Sequence, residues 1–354
     1  IKFIMAYTTI NKSSVLCTNK QFTGNNTDAH AITGVGFQPD MVWFKNSDSQ
    51  QNWRAFDSIR GVTKRLVPNE NSTEATEASQ LQAFGADGFT VGADGSVNGN
   101  NEEINAYCWK AGTTGSGTTT GSGTGKAYSY SVNTSSGFSI VKYLGNGTAN
   151  HTIPHHLGAK PEWIIVKQLT GTYDWRVYFD KEGNQKIVRL NTSGASSSST
   201  DYWNNTSPTS SVFNLGTGGG VNGNDVPYIA YCFRSITGYS KMGKFNGNGN
   251  ADGPFVYTGF KPSLIIIKDS DNAGENWFLF DNRRPGYNVN KNLFNINDTG
   301  AETASGANQI DILSNGFKMR STNNGTNRSG GEGFNYLAFG QSIVGSNNIP
   351  ATAR

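Results

Sequence analysis

The sequence has little charge and little cysteine, and both shortages exclude classes of function. Charged residues make up 16% of 354 residues and the net charge is +3. Because there is no dense basic run, nucleic acid is not indicated as a partner. Three cysteines, Cys17, Cys108 and Cys232, cannot form a disulfide framework and fit synthesis in a reducing cytoplasm. No apolar run reaches the roughly 18 residues that a membrane span needs, so no membrane insertion is expected.

Long helices are not expected either. No long window rich in Ala, Leu, Glu and Lys shows helical spacing. Instead there are 44 glycines, abundant Asn, Ser and Thr, and 12% aromatic residues. Such a composition favours short strands joined by many turns, and its aromatic content argues against disorder. The opening segment, Ile1 to Ile4, is too short for a signal peptide, and Met5 is a plausible natural start.

One motif occurs three times and organises the chain. A turn with a proline leads into a buried strand, and a lysine follows six residues after the proline. The prolines are Pro39, Pro161 and Pro262, and the lysines are Lys45, Lys167 and Lys268. The copies are a domain length apart, so the chain is predicted to contain three related units.

Further residues recur after each lysine. A tryptophan comes first: Trp53, Trp175 and Trp277. An aromatic–aspartate pair follows: Phe56-Asp57, Phe179-Asp180 and Phe280-Asp281. Copies one and three add Arg60 and Arg284 three residues later, where copy two has Gly183. Each copy ends in an alternating strand, at 106–109, 230–233 and 336–339.

These signals predict an all-β fold of three tandem related β-sandwich, jelly-roll-like repeat units with few or no helices. The predicted parts are a first repeat with a lead-in strand at 1–111, a Gly/Ser/Thr-rich flexible linker at 112–126, a second repeat at 127–238, a third at 239–345 and a polar tail at 346–354. The linker would let the first unit move relative to the other two.

The chain also resembles a known family over nearly its whole length. The matching segments include Gly36-Phe37-Gln38-Pro39, 56–61, 87–90, 107–112, 251–260 and 313–318. They are similar to uncharacterised proteins of marine tailed bacteriophages, including phages of cyanobacteria. Members are described only as virion structural or tail-fibre-like proteins. The resemblance implies a component of the virus particle and carries over no catalytic residue.

Charged candidates have a structural and a functional interpretation. Asp57 with Arg60, and Asp281 with Arg284, could bind a glycan hydroxyl or form a structural salt bridge. Recurrence favours the salt bridge, since ion-pair networks are commonly structural. Glu102-Glu103 is expected to be solvated, although paired carboxylates for glycoside hydrolysis need only spatial proximity.

Aromatic, histidine and cysteine candidates were weighed in the same way. The recurrent tryptophans are predicted to be core residues rather than sugar platforms. Tyr202, Trp203 and Trp109 fall outside the pattern or vary between copies, so they are the weak candidates for glycan or partner contact. His151, His155 and His156 are interpreted as a surface turn, and Cys108 and Cys232 as small core residues. No cofactor and no metal ion are predicted.

Three functions remain open. The first is a non-enzymatic virion structural protein, on a tail or fibre or decorating the capsid, with itself (as a homo-oligomer such as a trimer) and other virion proteins as partners. The second is a glycan-binding module for attachment to the host. The third and least favoured is a polysaccharide depolymerase, which fold analogy alone cannot support.

Overall fold

The computed structural model describes residues 8–10, 12–284, 287–330 and 333–342. The all-β prediction is confirmed: 29 strands are accompanied by one 3-10 turn and four short helices. The helices are α1 (Gly95–Asn98), α2 (Thr200–Trp203), α3 (Gly219–Asn222) and α4 (Asn324–Asn327), and the 3-10 turn is Ser13–Val15. Within the described residues, no helix is long and apolar enough to cross a membrane.

The first unit, at 17–109, contains a larger and a smaller antiparallel sheet. Its strands are β1 (Cys17–Thr23), β2 (His30–Thr33), β3 (Met41–Asn46), β4 (Arg54–Asp57), β5 (Lys64–Arg65), β6 (Ala75–Thr76), β7 (Leu81–Gly85), β8 (Gly88–Val91) and β9 (Glu103–Trp109). The larger sheet has the order β1-β9-β3-β4 and the smaller one β2-β8-β7, with β5 and β6 paired separately.

The second unit, at 113–233, has a sheet of eight strands. Its strands are β10 (Thr113–Thr118), β11 (Thr120–Gly121), β12 (Ala127–Asn133), β13 (Phe138–Leu144), β14 (His151–Pro154), β15 (Trp163–Gln168), β16 (Arg176–Phe179), β17 (Lys186–Arg189), β18 (Ser197–Ser198), β19 (Val212–Leu215) and β20 (Pro227–Phe233). The order is β10-β12-β13-β20-β15-β16-β17-β18, and β11-β14-β19 form the smaller sheet.

The third unit, at 240–342, has sheets of six and three strands. Its strands are β21 (Ser240–Asn246), β22 (Phe255–Tyr257), β23 (Phe260–Asp269), β24 (Trp277–Asp281), β25 (Asn292–Asn295), β26 (Thr303–Ala304), β27 (Ile310–Leu313), β28 (Gly316–Met319) and β29 (Gly333–Ser342). The orders are β21-β29-β23-β24-β25-β26 and β22-β28-β27. The series β1-β9-β3-β4, β13-β20-β15-β16 and β21-β29-β23-β24 therefore correspond.

In each larger sheet the central strands, such as β9, β20 and β29, are buried on both faces. One face packs against the smaller sheet of its own unit, around residues such as Phe44 and Phe89 in the first unit. The other face joins a core shared by all three units, which includes Trp43, Trp163 and Leu264. Strands buried on both faces have continuous apolar sequences. This explains why the strand before each lysine has no polar alternation.

The closing strands β9, β20 and β29 meet in the shared core. Trp109 and Phe233 lie at corresponding positions and both contact Phe339, with ring centroids 6.2 and 5.9 Å apart. A shared aromatic core ties the first unit to the other two. These contacts argue against the independent movement predicted for the first unit.

The segment 112–126 forms strands instead of a flexible linker. Strand β10 pairs with β12, and β11 pairs with β14. Gly115 and Gly117 lie directly opposite Tyr130 and Tyr128, whose rings lie so close that a Cβ on either glycine would clash with a tyrosine ring. Glycine is therefore used here to let aromatic rings cover the neighbouring strand. The added strands cover the outer edge of β13, which would otherwise be an exposed sheet edge.

The predicted lead-in strand is not formed by the residues that the structure describes, and the predicted tail lies outside them. Thr8 to Ile10 form no strand, and Ile10 is instead buried in the shared core. Burial of one side chain, rather than pairing in a sheet, holds this segment. Residues 1–7 and the tail at 346–354 lie outside the described residues.

A buried asparagine fixes the Gly-Asn turn that follows β1, β13 and β21, at Gly24-Asn25, Gly145-Asn146 and Gly247-Asn248. Asn98, Asn222 and Asn327 are fully buried at the ends of α1, α3 and α4. Their side-chain oxygens accept from the backbone N–H groups of Asn25, Asn146 and Asn248 at 2.8–3.0 Å. Their amide groups donate to backbone carbonyls of nearby loops. The turn signals were visible in the sequence, but this shared hydrogen-bonding partner was not.

Candidate functional site: the joints between the units

The recurrent residues converge where the three units meet. Each recurrent tryptophan donates its indole N–H to a backbone carbonyl of another unit: Trp53 to Asn295 at 2.9 Å, Trp175 to Val67 at 3.1 Å and Trp277 to Arg189 at 3.0 Å. All three side chains are fully buried, which confirms them as core residues. We call these contacts the 1–3, 2–1 and 3–2 joints, after the donating and accepting units.

The lysine of each motif lies at the same joints. Lys45, Lys167 and Lys268 are buried, and each ammonium group donates to a carbonyl of the neighbouring unit: Thr299 at 3.2 Å, Asn71 at 3.3 Å and Ser193 at 3.4 Å. Each also donates to carbonyls of its own unit. Burial lowers the pKa of all three lysines to about 8. Their role is to join loops, since carbonyl oxygens occupy their N–H groups.

Two joints contain a buried group of an aspartate, an arginine and a tyrosine. At the 2–1 joint, Asp57 accepts from the Arg60 Nε at 2.5 Å and from the Tyr231 hydroxyl at 2.7 Å. At the 1–3 joint, Asp281 accepts from the Arg284 Nε at 2.6 Å and from the Tyr107 hydroxyl at 2.8 Å. The tyrosine always comes from the other unit. The structural interpretation of these ion pairs is therefore confirmed.

The electrostatics of the 1–3 joint follow from its complete burial. Burial alone would raise the pKa of Asp281, but the charge of Arg284 and the hydrogen bonds from Arg284 and Tyr107 hold it below its ordinary value. Burial raises the pKa of the Tyr107 hydroxyl well above its usual value, so this hydroxyl remains a proton donor in the hydrogen bond. The arrangement keeps one carboxylate charged and fully paired inside the protein.

The 3–2 joint lacks this group, and pairing of the strands shows why. Met41, Trp163 and Leu264 correspond, and they pair with Asp57, Phe179 and Asp281. The residue equivalent to the aspartates is therefore Phe179, not Asp180 as the sequence motif suggested. Counting three residues on, the equivalent of the arginines is Glu182 rather than Gly183.

Apolar contacts occupy the place of the ion pair at the 3–2 joint. Phe179 packs against Trp163 and Trp277, with ring centroids 4.3 and 5.8 Å apart. Leu337 stands where the other joints have a tyrosine, as its pairing with Ile266 shows. Asp180 instead forms an ion pair with Lys160 at 2.5 Å. All three members of the polar group are thus replaced together.

Glu182 makes a separate polar link across the 3–2 joint. It accepts from Lys244 at 2.7 Å, from Asn335 at 2.7 Å and from Ser270 at 2.8 Å, all in the third unit. Burial by itself would raise the pKa of Glu182, but these hydrogen bonds hold it below its ordinary value. A charged contact therefore survives at this joint, displaced towards its outer side.

The predicted contact residues lie apart from each other. Trp109 is buried in the shared core. Trp203 is buried in the second unit, where its indole N–H donates to the backbone carbonyl of Lys186 at 3.1 Å. Neither ring is available to a ligand. Tyr202 is half-buried, and the guanidinium of Arg176 lies 4.9 Å from its ring centre. The ligand role predicted for Tyr202 stays a prediction.

The three histidines do not form the predicted surface turn. His151 and His155 are fully buried, and His156 stacks on Tyr130 with ring centroids 3.7 Å apart. The His151 Nε2 lies 2.6 Å from the Thr119 hydroxyl, which ties the β10–β12 segment to the second unit. Burial lowers the pKa of His155 to about 4. Among the described residues, no cluster of three or more His, Cys, Asp or Glu could hold a metal ion.

The two core cysteines were predicted correctly. Cys108 and Cys232 are fully buried in β9 and β20, and burial raises the pKa of both thiols. Both thiols are free. A thiol with a raised pKa inside a sheet is a packing group.

A cleft of about 650 Å³ opens at the outer side of the 3–2 joint. It lies between the second unit, at Glu162 and Lys181, and the strands β21 and β22 of the third unit. Phe255 and Tyr257 line it with side chains that are 46% and 51% exposed. Sequence analysis did not single out these aromatics. The available signal was that the corresponding positions of the other two units carry no aromatic residue.

The structure thus defines an all-β protein whose antiparallel sheets share a common core. Residues 12–342 match the family model described as "Domain of unknown function (DUF7483)", and the chain belongs to that family. No curated protein and no solved structure matches the chain.

Proposed function

We propose that this protein is a non-enzymatic structural component of a bacteriophage particle, exposed on a tail or fibre or on the capsid surface. The family resemblance supports the particle assignment. One structural observation supports the mechanical role. The recurrent charged residues lie at the joints between units. Asp57, paired with Arg60, and the three lysines bind groups of neighbouring units rather than lining an open groove.

Such joints suit a rigid part of an assembly. Three sandwiches with one aromatic core resist bending better than three sandwiches on flexible linkers, because any hinge would expose apolar surface to water. Partners would be further copies of this chain and other virion proteins, and the location would be the particle surface.

Quantitative mass spectrometry of purified particles tests this assignment. A copy number close to that of the major capsid protein would place the chain on the head as a decoration. A small number set by the symmetry of the tail would place it on the tail or a fibre. Absence from the particle would overturn the proposal and return the depolymerase hypothesis to consideration.

A further inference from the structure

We propose that the cleft at the 3–2 joint binds an acidic oligosaccharide, with Phe255 and Tyr257 as the stacking platform and Lys181 and Lys241 as the groups that attract its acid substituents. This activity goes beyond the particle assignment and does not depend on it. It is a property of the isolated chain.

The aromatic platform is the first observation. Val256 points into the third unit, so Phe255 and Tyr257 on either side of it point outwards on one face of β22. Two residues along a strand lie about 7 Å apart. The apolar face of a pyranose ring packs on such an aromatic surface, as other flat apolar groups do.

The scaffold does not require aromatics at these positions. Ile32, Ile153 and Val256 correspond, because they pair with Phe89, Phe213 and Phe317. The residues that correspond to Phe255 and Tyr257 are Ala31 and Thr33 in the first unit, and Thr152 and Pro154 in the second. The same fold is thus built twice without the two rings, so a partner outside the fold explains them better than packing does.

The charges in the cleft favour an acidic ligand. Lys181 is exposed and, among the described residues, has no ion-pair partner. Lys241 donates to the backbone carbonyl of Tyr257 at 2.6 Å and lies 5.4 Å from its ring centre, with no carboxylate partner in the described part of the chain. Glu162 is the carboxylate in the lining, and it accepts from the backbone N–H of Ser235 at 2.6 Å. Two cations therefore remain for a ligand.

The remaining lining suits a sugar. The exposed Thr237 and the half-buried Ser235 add hydroxyl groups to the lining, beside the aromatic platform. The corresponding cleft at the 1–3 joint is smaller, at about 280 Å³, and its lining contains no aromatic residue. A volume of 650 Å³ falls within the range of ligand sites. Single-stranded nucleic acid is a poorer match, because the net charge of the chain is only +3.

Isothermal titration of the purified full chain tests the proposal. The acidic probes are a galacturonate hexamer and a heparin-derived hexasaccharide, the neutral probe is maltohexaose, and a thymidine hexanucleotide represents nucleic acid. At low salt we expect at least one acidic probe to bind more tightly than the neutral probe. The affinity should fall as salt is added, since salt screens exposed lysines.

Variants separate the cleft from the rest of the surface. Phe255→Ala and Tyr257→Ala should each weaken binding about tenfold, and Lys181→Ala should weaken it and reduce its salt dependence. Tyr173→Ala is the matched aromatic control, because Tyr173 is 43% exposed and lies outside the cleft, and Lys64→Ala is the matched lysine control. Neither control should change the affinity.

Several results would overturn the proposal. These are no binding of either acidic probe, equal losses in the two controls, or tighter binding of the hexanucleotide than of both acidic sugars. Sedimentation velocity tests the alternative that the two aromatics join copies of the chain. A dimer of the wild-type chain that dissociates in Phe255→Ala and Tyr257→Ala would assign the aromatics to contact between copies instead. The substituted side chains are exposed, except that of Lys64, which is half-buried at the surface, so the variants are expected to fold.

Discussion

The 2–1 and 3–2 joints solve the same packing problem with opposite chemistry. At the 2–1 joint a carboxylate, a guanidinium group and a phenol are buried together, around Asp57. At the 3–2 joint Phe179 occupies the aspartate position and packs on two indole rings. Both joints keep the indole and lysine hydrogen bonds to the neighbouring unit. The polar group is therefore one of two ways to fill this space.

The difference also has a geometric consequence. At the 3–2 joint the charged contact moves outwards to Glu182, which holds Lys244 beside the open cleft. At the 2–1 joint, strands β10 and β12 cover the edge of β13, the strand that corresponds to β21. Apolar replacement inside the joint and an open edge outside it together leave room for a ligand. The comparison thus links an internal substitution to the surface where we place binding.

The largest expected effect comes from breaking the buried polar group. Asp57→Ala leaves the fully buried guanidinium of Arg60 without its main partner. In the described part of the chain, Glu74 at 3.1 Å then remains as its one carboxylate partner, beside the backbone carbonyl of Lys64 at 2.7 Å. Removing one partner of a buried ion pair costs about 3–5 kcal/mol. We expect that loss in the free energy of unfolding, measured by urea titration.

The control for this prediction is Asp180→Ala at the 3–2 joint. Asp180 pairs with the partly exposed Lys160, so the expected loss is less than about 1 kcal/mol. Equal losses in the two variants would contradict the distinction between the joints.

A smaller effect is expected from the tyrosines that cross the joints. Tyr231→Phe and Tyr107→Phe keep the ring and remove the hydroxyl that donates to Asp57 or Asp281. A hydrogen bond to a charged group contributes about 1.5–3 kcal/mol, and each variant should lose stability in that range in the same urea titration.

Tyr130→Phe provides a matched control for the hydroxyl. The Tyr130 ring is half-buried against His156, and in the described part of the chain its hydroxyl has no hydrogen-bond partner. Its stability should change by no more than about 0.5 kcal/mol. If Tyr231→Phe lost as little stability as Tyr130→Phe, the Tyr231 hydroxyl would not contribute to the stability of the joint.

Part of this arrangement could be predicted from the sequence. The proline–strand–lysine motif and the tryptophans marked positions that the structure places at the joints, because residues with one task in each unit keep their spacing. The motif failed in the second unit. Its aromatic–aspartate pair, Phe179-Asp180, is displaced by one residue along the strand, and a shift of one residue exchanges the two faces of a strand. The shift was visible in the spacing from the tryptophan, because the aspartate follows it after four residues in the first and third units but after five, from Trp175 to Asp180, in the second.

The linker and the cleft show two other limits. The composition around Gly115 and Gly117 predicts a flexible linker, whereas the alternation of these glycines matches that of Tyr130 and Tyr128 on the partner strand. That partnership depends on pairing between strands, which composition does not report. Phe255 and Tyr257 escaped notice because exposure is a property of the folded third unit.

Acid should weaken the polar joints. The pKa of Asp281 is lower in the folded chain than its ordinary value, which it regains on unfolding. The folded state therefore binds fewer protons, so this contribution to stability is present above the unfolded pKa of about 3.9 and is lost as pH falls through the folded pKa. We expect the thermal midpoint to fall in this acidic range.

Asp281→Asn isolates that contribution, because an amide does not titrate there. The variant should be less stable than the wild type at neutral pH, but the difference should narrow in acid. A difference that stays constant as pH is lowered would show that Asp281 is not held in its charged form by the joint.

The smallest expected effect comes from converting one joint into the other. Asp281→Phe alone should destabilise the chain strongly, because the guanidinium of Arg284 stays buried. Adding Arg284→Leu and Tyr107→Leu removes both polar groups that have lost their partner. The leucine at position 284 can pack on Phe294, because the ring centre of Phe294 lies 4.0 Å from the guanidinium of Arg284 in the wild type. Apolar replacement of a complete buried ion pair is often close to neutral, so the triple variant should recover to within about 1 kcal/mol of the wild type in urea titration. A triple variant no more stable than Asp281→Phe would mean that the apolar solution depends on Trp163 beside Phe179, because Leu264 takes the place of that tryptophan at the 1–3 joint.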